Sequence, residues 1–307
     1  MILVTGASGT VGREVVGRLP AGVGVRVMAR DPARIGGVGA GVEVVAGDYG
    51  DPGSLARVLR GVRTVFLVTA RVGGGDDAVF VAAARAAGVR RVVKLSAAAV
   101  LDEGAGDLIT RWQRESEGLL RDCGMEWTLL RPRAFMSNCL SWAGSVRCEG
   151  VVRALYGEAA HACVDPADVA RVAVRVLTEE GHAGRAYTLT GPQALSAVEQ
   201  TRELGAVLGV ALRFEELSPA RARAALEGRY PPAVAEALLD SALRLKAGAK
   251  AGVQDTVGRL TGRPARTFRQ WAAAHAASFG GHGDAAGPPQ AGPRASGTGA
   301  GTAGTAP

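Results

Sequence analysis

The sequence has few cysteines, and their spacing provides no framework for disulfides or for zinc. Cys123, Cys139, Cys148 and Cys163 are the only four in 307 residues, which is too few for a disulfide-stabilised scaffold. No Cys-x-x-Cys or His-x-x-x-His pair occurs, so no metal site is predicted. We interpret the four thiols as packing residues.

The sequence also lacks a long apolar run and a basic leader. No run approaches the roughly 18 apolar residues that suggest a membrane span, and the first residues, MILVTG, include no basic residue. The chain is nevertheless 47% apolar, which is enough to form a buried core. We expect a soluble, cytoplasmic protein without a membrane partner, either a monomer or a homodimer.

Basic residues are in excess but are not concentrated. The formal net charge is +7, and nearly all of the basic residues are arginines spread through the chain. A nucleic-acid surface is only weakly supported, because such surfaces cluster their basic residues, and no nucleic-acid partner is expected. Phosphate groups on a small cofactor would account for part of the positive charge.

Short apolar strands alternate with helical stretches through the first hundred residues. ILVT, VRVMAR, VEVVAGD, TVFLVTA and VVKLS are separated by segments rich in Ala, Arg and Leu. This alternation is typical of βαβ units on a parallel sheet, and the continuous apolar strands fit a sheet covered on both faces. The pattern predicts an α/β fold, a Rossmann-type doubly wound parallel sheet.

The second half is less regular and is predicted to be mostly helical. We divide the chain into a nucleotide-binding core at 1–135, a smaller lobe that covers the substrate at 136–279, with some strands returning to the core, and a disordered tail at 280–307. The tail consists largely of Gly, Ala, Pro, Ser and Thr and cannot bury enough apolar surface to offset its ordering entropy.

Several elements have sequence signals at their ends. The predicted elements are a helix at 107–122, a strand EWTLLRP that ends at Pro132, a helix at 165–180 capped by Asp165, a strand AYTLTG that ends at Gly191, and a helix at 196–208 with Ser196 and Glu199 as a capping box.

A glycine-rich turn follows the first strand. TGASGTVG spaces three glycines by three residues, a pattern that 44 glycines would produce by chance about once in such a chain. Its position between an apolar strand and a helix makes it informative, since such a turn lets the backbone approach a pyrophosphate. The turn predicts dinucleotide contacts from Gly6, Ser8, Gly9, Thr10, Val11 and Gly12.

The end of the second strand indicates which dinucleotide is bound. Arg30, with Arg34 one turn later, can hold a 2′-phosphate in bidentate fashion, which favours NADPH. Asp31 competes, because an inward carboxylate with Arg30 turned outward would favour NADH, which stays possible. Asp48, after the third strand, is either an acceptor for the adenine amino group or a turn residue. Further predicted cofactor contacts are Tyr49, Thr69 and Ala70.

Taken together, several motifs resemble the NmrA-like atypical short-chain dehydrogenases/reductases. The resemblance covers about residues 1–279 and implies a Rossmann fold that binds NAD(P)H, with a smaller substrate lobe. Members of that family include quinone and ketone reductases, polyketide-tailoring ketoreductases and non-enzymatic redox sensors. The motifs are TGASGTVG, ARDPAR, GDYGD, VVKLSA, LLRDCGMEWTLLRPRAFMSN, VDPADVARVAVRVLT, YTLTGPQALS and TGRPARTFRQW.

The usual proton donor of short-chain reductases is missing. Those enzymes protonate the carbonyl oxygen through a Tyr whose pKa is lowered by a Lys four residues later. None of Tyr49, Tyr156, Tyr187 and Tyr230 is followed by Lys at that spacing.

The helix ITRWQRESEGLLRDCG instead carries Gln113 and Glu117 in these places. The resembling family often has His at the Gln113 position. A Gln amide cannot deliver a proton, although it can hydrogen-bond a substrate oxygen.

Ser96 matches the family's serine at the end of the fifth strand, facing the nicotinamide. Its hydroxyl either polarises a substrate carbonyl or bonds local backbone. Lys94, two residues earlier on the same face, is expected to form a structural ion pair or to line a tunnel. The stretch past the nicotinamide implies a cofactor contact from Pro132 and substrate contacts from Phe135 and Asn138, with Phe135 equally consistent with ordinary core.

These residues predict an NAD(P)H-dependent reductase, with Ser96 and Gln113 as candidate catalytic residues. Hydride transfer needs no side-chain acid when positioning alone supplies roughly 7 to 11 kcal/mol, but the developing oxyanion needs a partner. An aromatic ketone or quinone with its own phenolic hydroxyl supplies one, so a polyketide-type secondary-metabolite ketoreductase of antibiotic biosynthesis is predicted. The alternative is a non-catalytic NAD(P)-sensing regulatory protein.

Overall fold

The computed structural model describes residues 1–39 and 41–280. Apart from Gly280, the predicted tail at 280–307 lies outside these residues. Within them, no helix is both long enough and apolar enough to span a bilayer.

A seven-stranded parallel sheet forms the centre of the molecule, in the order β3-β2-β1-β4-β5-β6-β8, and β7 pairs with β9 in a separate two-stranded parallel sheet. The strand order reverses between β1 and β4, so the carboxyl ends of these strands flank the crevice where dinucleotides bind in doubly wound folds. The strands are β1 (Ile2–Val4), β2 (Val25–Ala29), β3 (Val42–Ala46), β4 (Thr64–Leu67), β5 (Arg91–Leu95), β6 (Glu126–Pro132), β7 (Val151–Ala154), β8 (Arg185–Leu189) and β9 (Arg213–Glu216).

Helices cover both faces of the central sheet and form the outer lobe. Short 3-10 helices occur at Pro32–Arg34, Ala98–Leu101, Met136–Trp142 and Ala276–Phe279. The α-helices are α1 (Thr10–Val16), α2 (Pro52–Leu59), α3 (Asp76–Ala86), α4 (Leu108–Arg121), α5 (Ala143–Glu149), α6 (Pro166–Thr178), α7 (Ala197–Leu208), α8 (Pro219–Glu227), α9 (Pro232–Lys246), α10 (Thr256–Thr261) and α11 (Phe268–Ala274).

Side-chain alternation along the strands creates two cores, one on each face. On one face Ile2 and Val4 pack with the valines of α1 and α6. On the other, Leu3 packs with apolar residues of α2, α3 and α4, including Phe80 and Leu120. This two-sided burial explains why the strands read as continuous apolar runs.

A third core belongs to the lobe. Met136 and Cys139 pack there with Leu204, Phe268 and Trp271. β8 does not stay with the lobe but pairs with β6 in the central sheet. The chain therefore crosses to the lobe after β6 and returns as β8, the outermost strand beside β6.

The predicted elements exist, with small corrections at their ends. α4 and β6 match their predictions, Asp165 caps α6 by accepting from Ala167 N, and the capping box of Ser196 and Glu199 is formed. The strand predicted to reach Gly191 ends at Leu189, because its partner β6 ends at Pro132 and offers no further residue to pair with. The helix predicted to reach residue 180 ends at Thr178, where the chain becomes extended.

Candidate active site

The glycine turn is a close-packed backbone loop at the carboxyl end of β1. Gly6 has a left-handed φ of 65° and its carbonyl accepts from Gly9 N at 2.9 Å. A Cβ on Gly12 would lie 2.7 Å from the carbonyl carbon of Gly6 and 3.0 Å from the Cα of Ala7. Only glycine fits at these positions, which is the close approach that a dinucleotide turn requires.

The other turn residues divide between the surface and the core. Ser8 and Thr10 are exposed, whereas Val11 is buried in the core beside α6. Val11 can therefore reach a ligand through its backbone but not through its side chain. Thr5 anchors the turn to the next strand by exchanging hydrogen bonds with the backbone of Val68, at 2.7 and 3.1 Å.

A cavity of about 230 Å³ adjoins the turn and is lined by Ser8, Arg13, Arg34 and residues 35–39. Arg34 is one of the residues predicted from the sequence, whereas Arg13, whose guanidinium donates to Ser8 O at 3.2 Å, is not. The available signal was its place one turn into the helix after the glycines.

Arg30 and Asp31, the two residues expected to decide between NADPH and NADH, both lie outside the lining of this cavity. Arg30 is exposed and does not line the cavity beside the turn. The Asp31 side chain accepts from Ala33 N and caps the short helix Pro32–Arg34. Asp31 is therefore occupied in the local backbone, and Arg34 with Arg13 supplies the positive charge at the cavity.

Asp48 and Tyr49 both make local contacts. Asp48 accepts from Gly50 N at 2.7 Å, which is the turn role that the sequence left open. The Tyr49 hydroxyl donates to Val68 O at 2.9 Å, and burial raises the pKa of this phenol well above its ordinary value. Tyr49 is therefore not a source of protons at neutral pH, and the cofactor contacts of both residues stay predictions.

A buried polar network underlies the carboxyl ends of β4 and β5. Lys94 Nζ lies 2.9 Å from Asp77 Oδ1 and donates to Thr69 Oγ1 at 2.6 Å. Trp112 Nε1 donates to Asp77 Oδ2 at 2.9 Å. Lys94 therefore forms a structural ion pair, one of the two roles expected for it. Thr69 is buried in this network, and the next residue, Ala70, is exposed.

Asp77 was missed from the sequence. It lies in the first turn of α3, next to Asp76, where acidic residues are usually attributed to the helix dipole. The residue is 3% exposed, and the bonds from Thr69, Trp112 and Lys94 satisfy its buried oxygens. Only the tertiary pairing of α3 with β5 distinguishes it from an ordinary helix-start carboxylate.

Ser96 is held by a charged cluster at the start of the predicted catalytic centre. Its hydroxyl donates to Glu117 Oε1 at 2.7 Å. Arg131 donates to both carboxylate oxygens of Glu117, at 2.8 and 2.5 Å, and Arg121 donates to Oε2 at 2.8 Å. Burial opposes ionisation of this carboxyl, but the bonds from Arg131 and Ser96 outweigh it and lower the pKa of Glu117.

Gln113 lies one turn before Glu117 on α4 and is 7% exposed. Its Oε1 has no hydrogen-bond partner among the residues that the structure describes. A buried amide oxygen without a donor costs free energy unless a ligand satisfies it. Of the two candidate catalytic side chains, Gln113 therefore has an unused acceptor, whereas the single proton of Ser96 is directed to Glu117.

The stretch from Pro132 to Asn138 leads from the end of β6 into the lobe. Pro132 is buried and pairs with Leu189 of β8, and Phe135 is half-buried, packs against the sheet core and bridges to Val164. Asn138 is exposed. Phe135 therefore has the core contacts that were one of its two interpretations, and the substrate contacts stay predictions.

The cysteines are free thiols. Cys123, Cys139 and Cys163 are buried and Cys148 is exposed. Burial raises the pKa of Cys163 to about 12, so this thiol is protonated and packs as a neutral group.

Comparisons with known proteins agree with this geometry. A family model described as NAD(P)H-binding matches residues 6–180. The chain is 60% identical over 279 residues to the (4-alkanoyl-5-oxo-2,5-dihydrofuran-3-yl)methyl phosphate reductase of Streptomyces griseus subsp. griseus, covering 91% of this chain and 99% of that protein. It is 39% identical to the NAD(P)H azoreductase of Xenophilus azovorans, covering 91% and 99%.

A solved structure has the same fold. The NADPH-dependent quinone oxidoreductase of Escherichia coli, crystallised with NADPH, superposes with a TM-score of 0.78 at 29% identity, covering 89% of this chain and 99% of that one. The cofactor prediction, NADPH favoured with NADH possible, is confirmed. The chain belongs to the NAD(P)H-binding family of NmrA-like, atypical short-chain reductases and is an NAD(P)H-dependent oxidoreductase.

Proposed function

We propose that this chain uses NADPH to reduce the carbon–carbon double bond of a conjugated oxofuran, the substrate type named for its Streptomyces griseus relative. The observation that carries the proposal is the pairing of Glu117 with two arginines beside Ser96. An ionised carboxylate cannot donate a proton, and it engages the Ser96 hydroxyl. The substrate must therefore tolerate reduction without a strong side-chain acid.

A 4-alkanoyl-5-oxo-2,5-dihydrofuran meets that requirement. Its ring double bond joins carbons 3 and 4, and carbon 4 carries both the lactone and the alkanoyl carbonyl. When bound, NADPH supplies a hydride to carbon 3. The electron pair of the double bond then spreads over the two carbonyl oxygens, and water protonates carbon 4. The substrate itself therefore stabilises most of the negative charge. In other reductions, oxyanion donors of the protein supply this stabilisation.

The protein's own residues bind and orient the reactants. The turn Gly6–Gly12 fits the pyrophosphate, because only glycine allows the backbone to approach so closely. Arg13 and Arg34 line the adjoining cavity and fit the 2′-phosphate. The Gln113 side chain also carries an Nε2 amide, and this donor, rather than the unpartnered acceptor Oε1, would bond a substrate carbonyl oxygen as charge develops on it.

Quinones are a second candidate class. They also delocalise the charge that reduction produces, and the solved Escherichia coli relative is named as a quinone oxidoreductase. The earlier prediction of an aromatic ketone or quinone depends on the same chemical argument. The oxofuran is preferred because the relative named for it is 60% identical to this chain.

The position of a deuterium label tests the proposal. Purified protein is incubated with NADPH deuterated at the transferred position and the oxofuran phosphate, and the product is examined by NMR. Deuterium at ring carbon 3, with solvent hydrogen at carbon 4, is expected. Deuterium on the alkanoyl carbon would show a ketoreductase, and tight dinucleotide binding without any oxidation would favour the sensing alternative.

Substitutions of Gln113 and Ser96 test whether these side chains assist the reduction. We expect Gln113→Ala to lower kcat by about tenfold or more, by analogy with loss of one oxyanion donor. Ser96→Ala should have a smaller effect, since its proton already bonds Glu117. Wild-type turnover by both variants would show that the chain's side chains give no such help, while leaving the reductase activity intact.

A further inference from the structure

A cluster of three cations and two carboxylates lies where the lobe meets the end of β6. It comprises Arg133, Arg244, Lys250, Asp102 and Asp107. Arg133 Nη1 bonds both oxygens of Asp102 at 3.0 and 3.2 Å, and Arg244 Nη2 bonds Asp107 Oδ2 at 2.6 Å. Within residues 1–39 and 41–280, the hydrogen bond that Lys250 Nζ makes is to the Ser241 hydroxyl, at 2.5 Å. Three cations against two carboxylates leave one positive charge.

The arginines retain donors that their carboxylates do not use. Each gives a single nitrogen to its carboxylate, out of a guanidinium with five N–H groups. Arg244 Nε is buried and has no hydrogen-bond partner in the described part of the chain. Donors of this kind, beside an excess positive charge, are suited to an anion with several acceptor oxygens.

The cluster is preorganised by its surroundings. Asp107 caps α4 by accepting from Thr110 N and Oγ1, at 3.0 and 2.6 Å. Arg114, on the same helix, donates to three carbonyls of the segment 100–105, which carries Asp102. Helix α9, which carries Arg244, packs against α4. The carboxylates and cations are therefore held in place without a ligand, which lowers the cost of binding one.

The cluster lies near the reaction site and far from the cofactor's own 2′-phosphate. Arg133 directly follows Pro132 at the carboxyl end of β6. Asp107 precedes Gln113 by six residues, which is about 9 Å along α4. Arg34 follows β2, four strands away from β6 in the sheet, or roughly 19 Å at the usual interstrand spacing. The two anion sites are therefore distinct.

Burial and the neighbouring Arg244 lower the pKa of Lys250 to about 8. The lysine therefore loses part of its charge in mildly alkaline solution, and a bound dianion would restore it. This response gives the site a signature that does not depend on turnover.

We propose that Arg133, Arg244 and Lys250 bind the phosphate monoester of the substrate. This inference rests on the proposed function, because the substrate named for the relative carries its phosphate on the methyl group of carbon 3. The phosphate is then one methylene and one ester oxygen from the carbon that accepts the hydride. Binding it would orient that carbon and distinguish phosphorylated from dephosphorylated substrates.

Amine labelling tests the site without catalysis. The sequence has only three lysines, Lys94, Lys246 and Lys250, and Lys94 is fully buried. Full-length protein is treated with acetic anhydride, and modification is quantified by mass spectrometry. We expect the oxofuran phosphate to protect Lys250 at least about tenfold, with the dephosphorylated alcohol giving no protection. Lys246 is the internal control. Equal protection by inorganic phosphate at the same concentration would show a general anion site and overturn the assignment.

Kinetics provide the second measurement. For wild type, kcat/KM with the phosphate ester should exceed that with the alcohol by about 100-fold. We expect Lys250→Met and Arg133→Lys each to reduce that ratio about tenfold, and Lys246→Met to leave it unchanged. The Arg133→Lys variant keeps the charge facing Asp102 and loses only the planar edge.

Two outcomes separate this inference from the proposed function. Equal losses for both substrates in Lys250→Met would overturn the phosphate site and indicate a general role in catalysis. If wild type reduces neither substrate, the proposed function fails, and the labelling result alone decides whether the cluster binds a phosphate ester.

Discussion

Adding one methyl group at Gly12 should weaken dinucleotide binding strongly. The new Cβ would meet backbone atoms of Gly6 and Ala7, with the Gly6 carbonyl carbon at 2.7 Å. Backbone atoms cannot rotate away as a flexible side chain can. The start of α1 must therefore move away from the turn before the chain can close.

The geometry sets the size of the effect. Restoring an ordinary carbon–carbon contact of about 3.5 Å requires a displacement of roughly 0.8 Å. Misplacement of about 1 Å in a binding constellation can cost about 100-fold, and overpacking of this kind destabilises a fold by about 1–3 kcal/mol. We expect Gly12→Ala to raise the Kd for NADPH by about 10- to 100-fold and to lower the Tm.

A graded series of alanine variants provides the assay. The Kd for NADPH is measured by calorimetry on cofactor-free protein, and stability by thermal unfolding. A Cβ on Gly9 would lie 3.2 Å from Gly6 O, whereas one on Gly144, in α5 and away from the turn, would meet nothing within 4 Å. Gly9→Ala should therefore be intermediate, and Gly144→Ala should keep the wild-type Kd. Wild-type affinity in Gly12→Ala would refute the claim that the turn holds the dinucleotide.

Two further predictions concern the charged side chains. Glu117→Gln should lower the free energy of unfolding by about 3 kcal/mol, because it leaves the nearly buried Arg131 without its counter-ion. The control is Glu115→Gln on the exposed face of α4, which should change the free energy of unfolding by no more than about 0.5 kcal/mol. Since the folded-state pKa of Glu117 is lowered, its stabilising contribution is present above the ordinary carboxylate range and is lost as pH falls below it. Acid unfolding curves of Glu117→Gln should lack that pH-dependent loss of stability. Identical curves for the variant and wild type would contradict the pairing. Arg34→Ala should raise the KM for NADPH about tenfold with little change for NADH, and a parallel loss for both cofactors would place the 2′-phosphate elsewhere than beside Arg13.

The fold could be predicted from sequence because its determinants are local and periodic. Alternating apolar strands and helices, the cap at Asp165 and the capping box at Ser196 all depend on residues close together in the chain. The sequence predicts β8 as a strand. Its pairing with β6 is a long-range contact that no local signal specifies.

The sequence specifies the candidate site most directly where the backbone itself is the functional group. The glycine turn was identified because its residues are consecutive. The partners of Ser96 and Lys94 were not, since Glu117 and Asp77 reach them from helices 21 and 17 residues away in sequence. The direction in which a side chain points depends on how helices pack on the sheet, and the sequence shows only that the residue types are available.

The replacement of the usual Tyr and Lys by Gln113 and Glu117 changes the electrostatics of the site as well as its acid. A lone carboxylate there would repel a substrate that becomes an enolate during reduction. Glu117 is bonded to both Arg131 and Arg121, so the three groups together carry one positive charge. A positive field near the developing negative charge lowers the barrier without transferring a proton. We therefore expect the site to favour substrates that can hold charge until water protonates them over isolated ketones, whose alkoxides require immediate protonation.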